Sequence, residues 1–276
     1  MAAESEDVMT VKPDYKNWMP KGMVLGTLCG AIGCIGVSAI CHYTDLIKNE
    51  TGKNVISGVL LFAGVMAGGA ALWIAKMYQA FSYDGKRKMS RQIIEGIADH
   101  VKLPAGGKGL DVGCGSGALT IACAKRNAAA TFIGIDRWGK EYASFSQALC
   151  ESNARAEKVS NVSFRQGDAT HLDFPDESFD AVVSNYVYHN IPGNRQALLL
   201  ETLRVLKKGG TFAIHDIFSR SKYGDMHSFV QKLTDMGYED VRLIDTTDGT
   251  FMTKREALWM ALSGSALLIG KKYKNE

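Results

Sequence analysis

The sequence predicts an α/β chain in two parts: two apolar helices of membrane-spanning length, then a doubly wound, mostly parallel sheet. Three observations predict it. Two uncharged stretches of twenty and twenty-one residues lie before residue 76 of the 276-residue chain. Short β-like runs alternate with helix-like runs from residue 109 onward. The first of those runs ends in Leu110-Asp111-Val112-Gly113-Cys114-Gly115-Ser116-Gly117, an aspartate followed by alternating glycines.

The apolar stretches are Gly22–Cys41 and Val55–Ala75. A bilayer core is crossed by about 20 apolar residues in a helix, so both qualify. The polar linker HYTDLIKNETGKN joins them as a helical hairpin. Gly22, Gly26 and Gly30 repeat every four residues, as do Gly64 and Gly68. Small residues at that spacing let helix backbones approach closely in lipid, between chains as well as within one, which would allow a homo-oligomer. A cleavable leader with Val37-Ser38-Ala39 as its cleavage site and a buried soluble helix pair are the alternatives; the second long span weighs against the leader. Lys12, Lys16 and Lys21 precede the first span, and Lys76, Lys86, Arg87, Lys88 and Arg91 follow the second. The linker holds only Lys48 and Lys53, offset by Asp45 and Glu50. The positive-inside rule therefore puts both termini and the soluble domain on the cytoplasmic side. The expected boundaries are a tail over 1–21, loose over its first dozen residues, a hairpin over 22–76 and a folded domain over 77–276.

Met89, Ile93, Ile97 and Val101 recur every four residues, one face of a helix. Strands are expected over Gly109–Val112, Thr131–Asp136, Val162–Gln166, Ala181–Ser184 and Thr211–His215. Helices are expected over Ala118–Arg126, Lys140–Arg155 and Arg195–Leu206, the last stopped by Gly209-Gly210. A helix over Asp225–Met236 follows. Then come strands at Val241–Asp245 and Ser265–Ile269, close enough in sequence to pair antiparallel.

A net charge of +3, with no dense basic stripe, argues against a nucleic-acid partner. Six scattered cysteines form no CxxC pair and no zinc-like spacing, so no metal site is expected.

The glycine loop decides the chemistry. In a doubly wound sheet, ligands sit at the carboxyl ends of the strands. Glycines there permit unusual backbone angles and close approach of a ligand. Gly113-x-Gly115-x-x-Ala118 loosely fits a dinucleotide fingerprint, so other residues must decide. Asp111 would repel a pyrophosphate and attract an ammonium. Asp136 ends the second strand, where a carboxylate can bind both ribose hydroxyls. Gly167-Asp168-Ala169 ends the third, where Asp168 could accept from an adenine amino group. An ammonium, a ribose and an adenine with no phosphate between them describe S-adenosylmethionine.

LDVGCGSG, FIGID, QGDATHLDFPDESFDAVVSN and LKKGGTFAIHD, in that order, resemble the class I S-adenosylmethionine-dependent methyltransferases, in the branch acting on quinones and other small molecules. The resemblance covers roughly residues 85–272 and does not extend to the hairpin. It implies a seven-stranded sheet of order 3-2-1-4-5-7-6 with an antiparallel last strand. It implies Asp111, Gly113, Gly115 and Gly117 around the methionine part of the cofactor, Asp136 on the ribose, and Arg137 against the adenine. Asp168 and Ala169 would take the adenine edge, and Asn185 would lie beside the transferred methyl.

Methyl transfer needs alignment and exclusion of water more than a conspicuous catalytic motif. Tyr186, Tyr188 and His189 follow the fourth strand and could face the acceptor. His215-Asp216 ends the fifth strand and is the expected acid/base pair by position. The hairpin favours a lipid, quinone or other hydrophobic small molecule as acceptor, with Lys86, Arg87, Lys88 and Arg91 resting on anionic headgroups. The alternatives are a soluble acceptor with the hairpin serving only localisation, a non-enzymatic S-adenosylmethionine-binding sensor, and a membrane-bound dinucleotide oxidoreductase.

Overall fold

A computed structural model describes residues 12–139 and 143–273. The first eleven residues of the expected loose tail lie outside the described residues. The chain forms two compact units: residues 17–90, and the segment up to Lys16 together with everything from Arg91 onward.

The smaller unit is built on two helices, α1 (Lys21–Tyr43) and α2 (Glu50–Phe81). Both are long and apolar enough to cross a membrane. The Asn49 side chain starts α2 by accepting from the Gly52 amide at 2.9 Å, which satisfies one of the orphan donors of the first turn. The helices run antiparallel and touch closely at Gly64, where a Cβ would lie 2.6 Å from Ile35 and 3.1 Å from the Ala31 carbonyl. The buried Ser38 hydroxyl donates to the Ser57 carbonyl at 2.7 Å, a polar tie across an otherwise apolar seam. Leu25, Ile32, Ile40, Val59, Phe62 and Leu72 are exposed on the outside. At about 1.5 Å per residue, α2 is roughly 48 Å long and exceeds a bilayer core of about 30 Å. Beyond the apolar stretch, Asn17 donates to the Tyr78 carbonyl at 2.7 Å and Trp18 packs on Phe81.

The larger unit contains a seven-stranded sheet. Its strands are β1 (Lys108–Val112), β2 (Thr131–Asp136), β3 (Val162–Gln166), β4 (Phe179–Asn185), β5 (Leu206–Ile217), β6 (Tyr238–Asp245) and β7 (Ser265–Lys272). Their spatial order is β3-β2-β1-β4-β5-β7-β6. Pairing is parallel from β3 to β5, and β7 runs antiparallel to both β5 and β6. The expected order and the antiparallel last strand are both present. Leu110, Val112, Phe179, Val182, Leu199, Leu203, Phe212, Ile214 and Leu268 are among the core residues. Strands buried on both faces read as continuous apolar runs, which is why β1 and β4 were legible.

The helices of this unit begin with α3 (Met89–Ala98), which starts at the boundary, α4 (Ala118–Arg126) and α5 (Gln147–Ala156). They continue with α6 (Arg195–Arg204), α7 (Arg220–Tyr223), α8 (Met226–Asp235) and α9 (Lys254–Trp259). Two expectations need correction. The helix expected from Lys140 begins at Gln147, capped by the Ser146 hydroxyl, which accepts from the Leu149 amide; residues 140–142 lie outside the described residues. The helix expected to run to Leu206 ends at Arg204, and Gly209-Gly210 lies inside β5 instead of stopping a helix. Leu206 already pairs with Phe179, and the register shifts before Thr211 pairs with Ala181. The glycine pair therefore serves an irregular strand entry, with Gly209 at φ 80°.

The chain steps from β1 outward to β2 and β3, then returns to place β4 on the other side of β1. That reversal opens a crevice at the carboxyl ends of β1 and β4, where a doubly wound sheet binds ligands.

Candidate active site at the carboxyl edge of the sheet

The loop from β1 to α4 turns on three left-handed glycines: Gly113 at φ 75°, Gly115 at 55° and Gly117 at 81°. Gly113 has a second reason to be glycine, since a Cβ there would lie 2.2 Å from Val187. Gly117 caps α4, so the loop delivers the positive end of that helix to the crevice. The loop is also held from behind. The Cys150 thiol of α5 reaches the Gly115 carbonyl at 3.2 Å, and the Asn153 amide donates to the Ser116 carbonyl at 3.0 Å.

Asp111 is 1% exposed and accepts from the Thr120 hydroxyl of α4 at 2.6 Å. Burial pushes its carboxyl up to about 7. The structure therefore buries this carboxyl against the first turn of α4. Asp136, half-buried at the end of β2, accepts from the Gly115 amide at 2.9 Å and from the Trp138 amide at 2.7 Å. The Trp138 indole in turn donates to the Gly115 carbonyl at 2.9 Å, and Phe145 lies alongside Gly115. Asp168, at the end of β3, is exposed and accepts from the Thr170 amide and hydroxyl. Those bonds hold its carboxyl below the ordinary value, with a smaller pull from the exposed Arg137. Ala169, partly buried, packs against the core beside it.

Asn185 ends β4, and its side-chain oxygen lies 2.9 Å from His215 Nδ1. His215 Nε2 lies 3.0 Å from the Thr246 hydroxyl. Both ring nitrogens are thus occupied, and burial pushes the imidazole down to about 3. Tyr186 follows Asn185 at φ 55°, a left-handed conformation that costs a tyrosine about 1–2 kcal/mol. Its backbone amide donates to the His215 carbonyl at 2.8 Å, its hydroxyl meets Ser265 at 2.8 Å, and its ring lies 4.6 Å from the His215 ring. These contacts fix the strained residue in place.

His215 and Asp216 are not paired with each other. Neighbours on a strand face opposite sides. The Asp216 carboxylate instead meets His189 Nδ1 at 2.5 Å. It also accepts from the backbone amides of Tyr188, His189 and Ile217. Asp216 is fully buried, while the His189 side chain is 15% exposed. A carboxylate only accepts here, so Nδ1–H is the donor. The Nε2 lone pair is left without a protein partner among the described residues. The single helical turn Tyr188–Asn190 that carries His189 is clamped by Arg195, which donates to the Tyr188, His189 and Lys222 carbonyls. Trp138, Asn153, Arg195 and Thr246 escaped the sequence reading. Each acts through backbone amides and carbonyls or one buried contact, and no local motif marks them.

The glycine loop, Asp136, Asp168 and Asn185 come from the carboxyl ends of four adjacent strands. That donor set fits S-adenosylmethionine: carboxylates stand at the ends of β2 and β3 for ribose and adenine.

Residues 110–214 match a family described as a methyltransferase domain. The chain is 36% identical over 119 residues to a demethylmenaquinone methyltransferase of Lactobacillus johnsonii, covering 41% of this chain and 45% of that protein. It is 26% identical over 198 residues to a 27-O-demethylrifamycin SV methyltransferase of Amycolatopsis mediterranei, covering 70% and 68%. The chain spans about half the length of several curated relatives it matches. Among solved structures, the cyclase SpnF aligns with TM-score 0.54 at 20% identity, over 70% of this chain and 86% of SpnF. A geranyl diphosphate methyltransferase in complex with its diphosphate and sinefungin aligns with TM-score 0.53 at 14% identity, over 72% and 84%. Residues 110–214 are thus similar in sequence to a methyltransferase domain, and the seven-stranded sheet has the Rossmann-like methyltransferase fold.

Proposed function

We propose that this protein is a membrane-anchored, S-adenosylmethionine-dependent methyltransferase that acts on a hydrophobic or lipid-like small molecule. The observation that carries the reading is that the glycine loop, Asp136, Asp168 and Asn185 stand at the carboxyl ends of four adjacent strands, with a histidine–aspartate pair joining the segment after the fourth to β5. Gly113, Gly115 and Gly117 let the backbone approach the methionine portion, with Asp111 buried against the first turn of α4. Asp136 takes the ribose, with Arg137, Asp168 and Ala169 around the adenine. When bound, S-adenosylmethionine supplies an activated methyl group with a good leaving group.

His189 serves as general base. Its Nε2 takes the proton that the acceptor's O–H or N–H loses as its bond to the methyl carbon forms. Asp216 holds Nδ1–H and stabilises the imidazolium that results. Asn185 and Tyr186 line the acceptor side. His215, with both nitrogens engaged, keeps Asn185 in place instead of moving protons. The apolar exteriors of α1 and α2 support anchoring in a bilayer, where an apolar acceptor could enter from the lipid. The excess of basic residues flanking the spans supports cytoplasmic termini, and Lys86, Arg87, Lys88 and Arg91 fit anionic headgroups. The relatives named above are, by their names, methyltransferases of demethylmenaquinone and of 27-O-demethylrifamycin SV, in keeping with a small-molecule acceptor.

The test is transfer of a labelled methyl group by the detergent-purified chain. Label entering an organic extract of membranes supports the reading. Label entering only soluble metabolites would reduce the hairpin to a localisation device. Cofactor binding with no transfer to either pool would favour a sensor. Asp136→Ala is expected to weaken cofactor binding at least tenfold in a calorimetric titration, with a lowered melting temperature from the lost Gly115 and Trp138 amide bonds but the fold retained by circular dichroism.

A further inference from the structure

The N-terminal segment just ahead of the hairpin is docked on the larger unit. The Asp14 backbone pairs with one side chain of α5 in both directions. Its amide donates to Asn153 Oδ1 at 2.7 Å, and its carbonyl accepts from Asn153 Nδ2 at 3.1 Å. Tyr15 is 5% exposed, and its hydroxyl donates at 3.1 Å to Glu157, the residue that caps the end of α5. Glu157 also pairs with Lys125 at the end of α4.

Asn153 is itself 1% exposed, and its third hydrogen bond goes to the Ser116 carbonyl in the glycine loop. One amide group therefore joins the N-terminal segment to the loop. Its orientation is fixed by both partners, because Oδ1 can only accept from Asp14 and Nδ2 can only donate. Without the segment, Oδ1 would lose its donor and Nδ2 one of its two acceptors. A buried amide left half-satisfied turns toward water or pays a desolvation penalty. In either case the bond to Ser116 loses its fixed geometry.

We infer that Asn153 is a positioning residue for the cofactor loop, and that residues 13–16 act as a strap that sets it. The inference rests on the reading of this loop as the S-adenosylmethionine site. Docking of the strap holds Asn153 so that Ser116, and with it Gly115 and Gly117, stays in the conformation that receives the cofactor. Cys150, one turn before Asn153, backs the same loop at the Gly115 carbonyl.

The test uses the full-length chain in detergent with the double substitution Asp14→Pro and Tyr15→Ala. The first removes the donor to Asn153 Oδ1, and the second removes the bond to Glu157 and the buried ring. Both changes lie outside the loop and the sheet, so the fold is retained, and circular dichroism checks this. A second variant, Asn153→Leu, removes all three bonds while keeping the volume. Calorimetry with S-adenosylmethionine is expected to show at least threefold weaker binding in both variants. The KM for cofactor should rise with kcat preserved at saturation. A lowered melting temperature with cofactor affinity within threefold of the unaltered chain would overturn the inference, as would a fall in kcat with KM unchanged. If the unaltered chain itself binds no S-adenosylmethionine, what fails is the cofactor reading, and this result is distinct from the other two.

Discussion

His189 and His215 lie on the same edge of the sheet and have opposite chemistry. His215 is buried with both nitrogens bonded, whereas His189 is tied through Nδ1 to a buried carboxylate and keeps Nε2 available. His189→Ala is therefore expected to lower kcat by about 10²–10⁴-fold, the usual contribution of a general base. His215→Ala should act mainly on stability and on cofactor KM through Asn185. Steady-state kinetics on the two variants separates these roles. A second expectation concerns pH. The Asp111 carboxyl, raised to about 7 in the folded chain, favours folding below that pH; its contribution is complete near pH 4 and is lost as pH rises through about 7. His215, depressed to about 3, favours folding above its unfolded value of about 6.5, and this contribution is lost as pH falls toward 3. Between about pH 4 and 6.5 the two slopes oppose each other, one proton each. Asp111→Asn removes the first and leaves the second. The variant should lose melting temperature from pH 6.5 to 4.5 more steeply than the parent, as a thermal-melt series would show. The adjacency of His215 and Asp216 in sequence invited a pairing that strand alternation forbids. The real partner of Asp216 lies 27 residues upstream, a distance no local pattern reveals.

At the scale of elements, two glycines make sharp predictions. A methyl group at Gly113 would meet Val187 and would have to adopt a left-handed backbone. Gly113→Ala should destabilise by about 2–4 kcal/mol, adding overpacking to backbone strain, and should weaken cofactor binding. Denaturant titration and calorimetry check the two parts. Gly64→Leu should force α1 and α2 apart against Ile35 and Ala31. Cysteines engineered at Ser38 and Ser57 in a cysteine-free background should then crosslink far less than in the same chain with Gly64. Elements bounded by strong signals were legible: β1, β2, β3 and α4 fall within a residue of their expected bounds. The start of β5 was not, because a glycine pair after an amphipathic run looks like a helix stop until its partner strand is known. The short helices α7 and α9 leave too few residues for a periodicity to show, although the Thr253–Glu256 capping box marks the start of α9 locally.

For the molecule as a whole, the order of the strands was legible only through resemblance. Periodicity gives the elements, but the crossing from β3 back to β4 is a long-range choice. The two apolar helices were legible at once from their lack of charge. Anchoring by them predicts that the chain stays with membranes through high salt and alkaline carbonate washing and is released by detergent. Recovery in the carbonate supernatant would argue against it. The groups proposed to hold the cofactor were legible because strand ends and turn glycines occur together in sequence. The docking of residues 13–16 was not, since a polar stretch ahead of a hydrophobic span reads as a tail until α5 is in place.

That docking makes the larger unit discontinuous. Asp14 and Asn153 are 139 residues apart, and the whole hairpin lies between them in the chain. A ribosome delivers the first piece of this unit before the hairpin and the rest after it. The piece has no partner until α5 emerges, so the unit cannot close domain by domain as it is made. The same fact bears on making a soluble version. Cutting the chain ahead of Arg91 would discard Asp14 and Tyr15 along with the hairpin, leaving Asn153 facing water beside the loop it supports. A water-soluble version with the affinity for S-adenosylmethionine proposed for the full chain should instead keep residues 12–16 and carry them to α3 on a flexible polar linker, exchanging the hairpin for a tether.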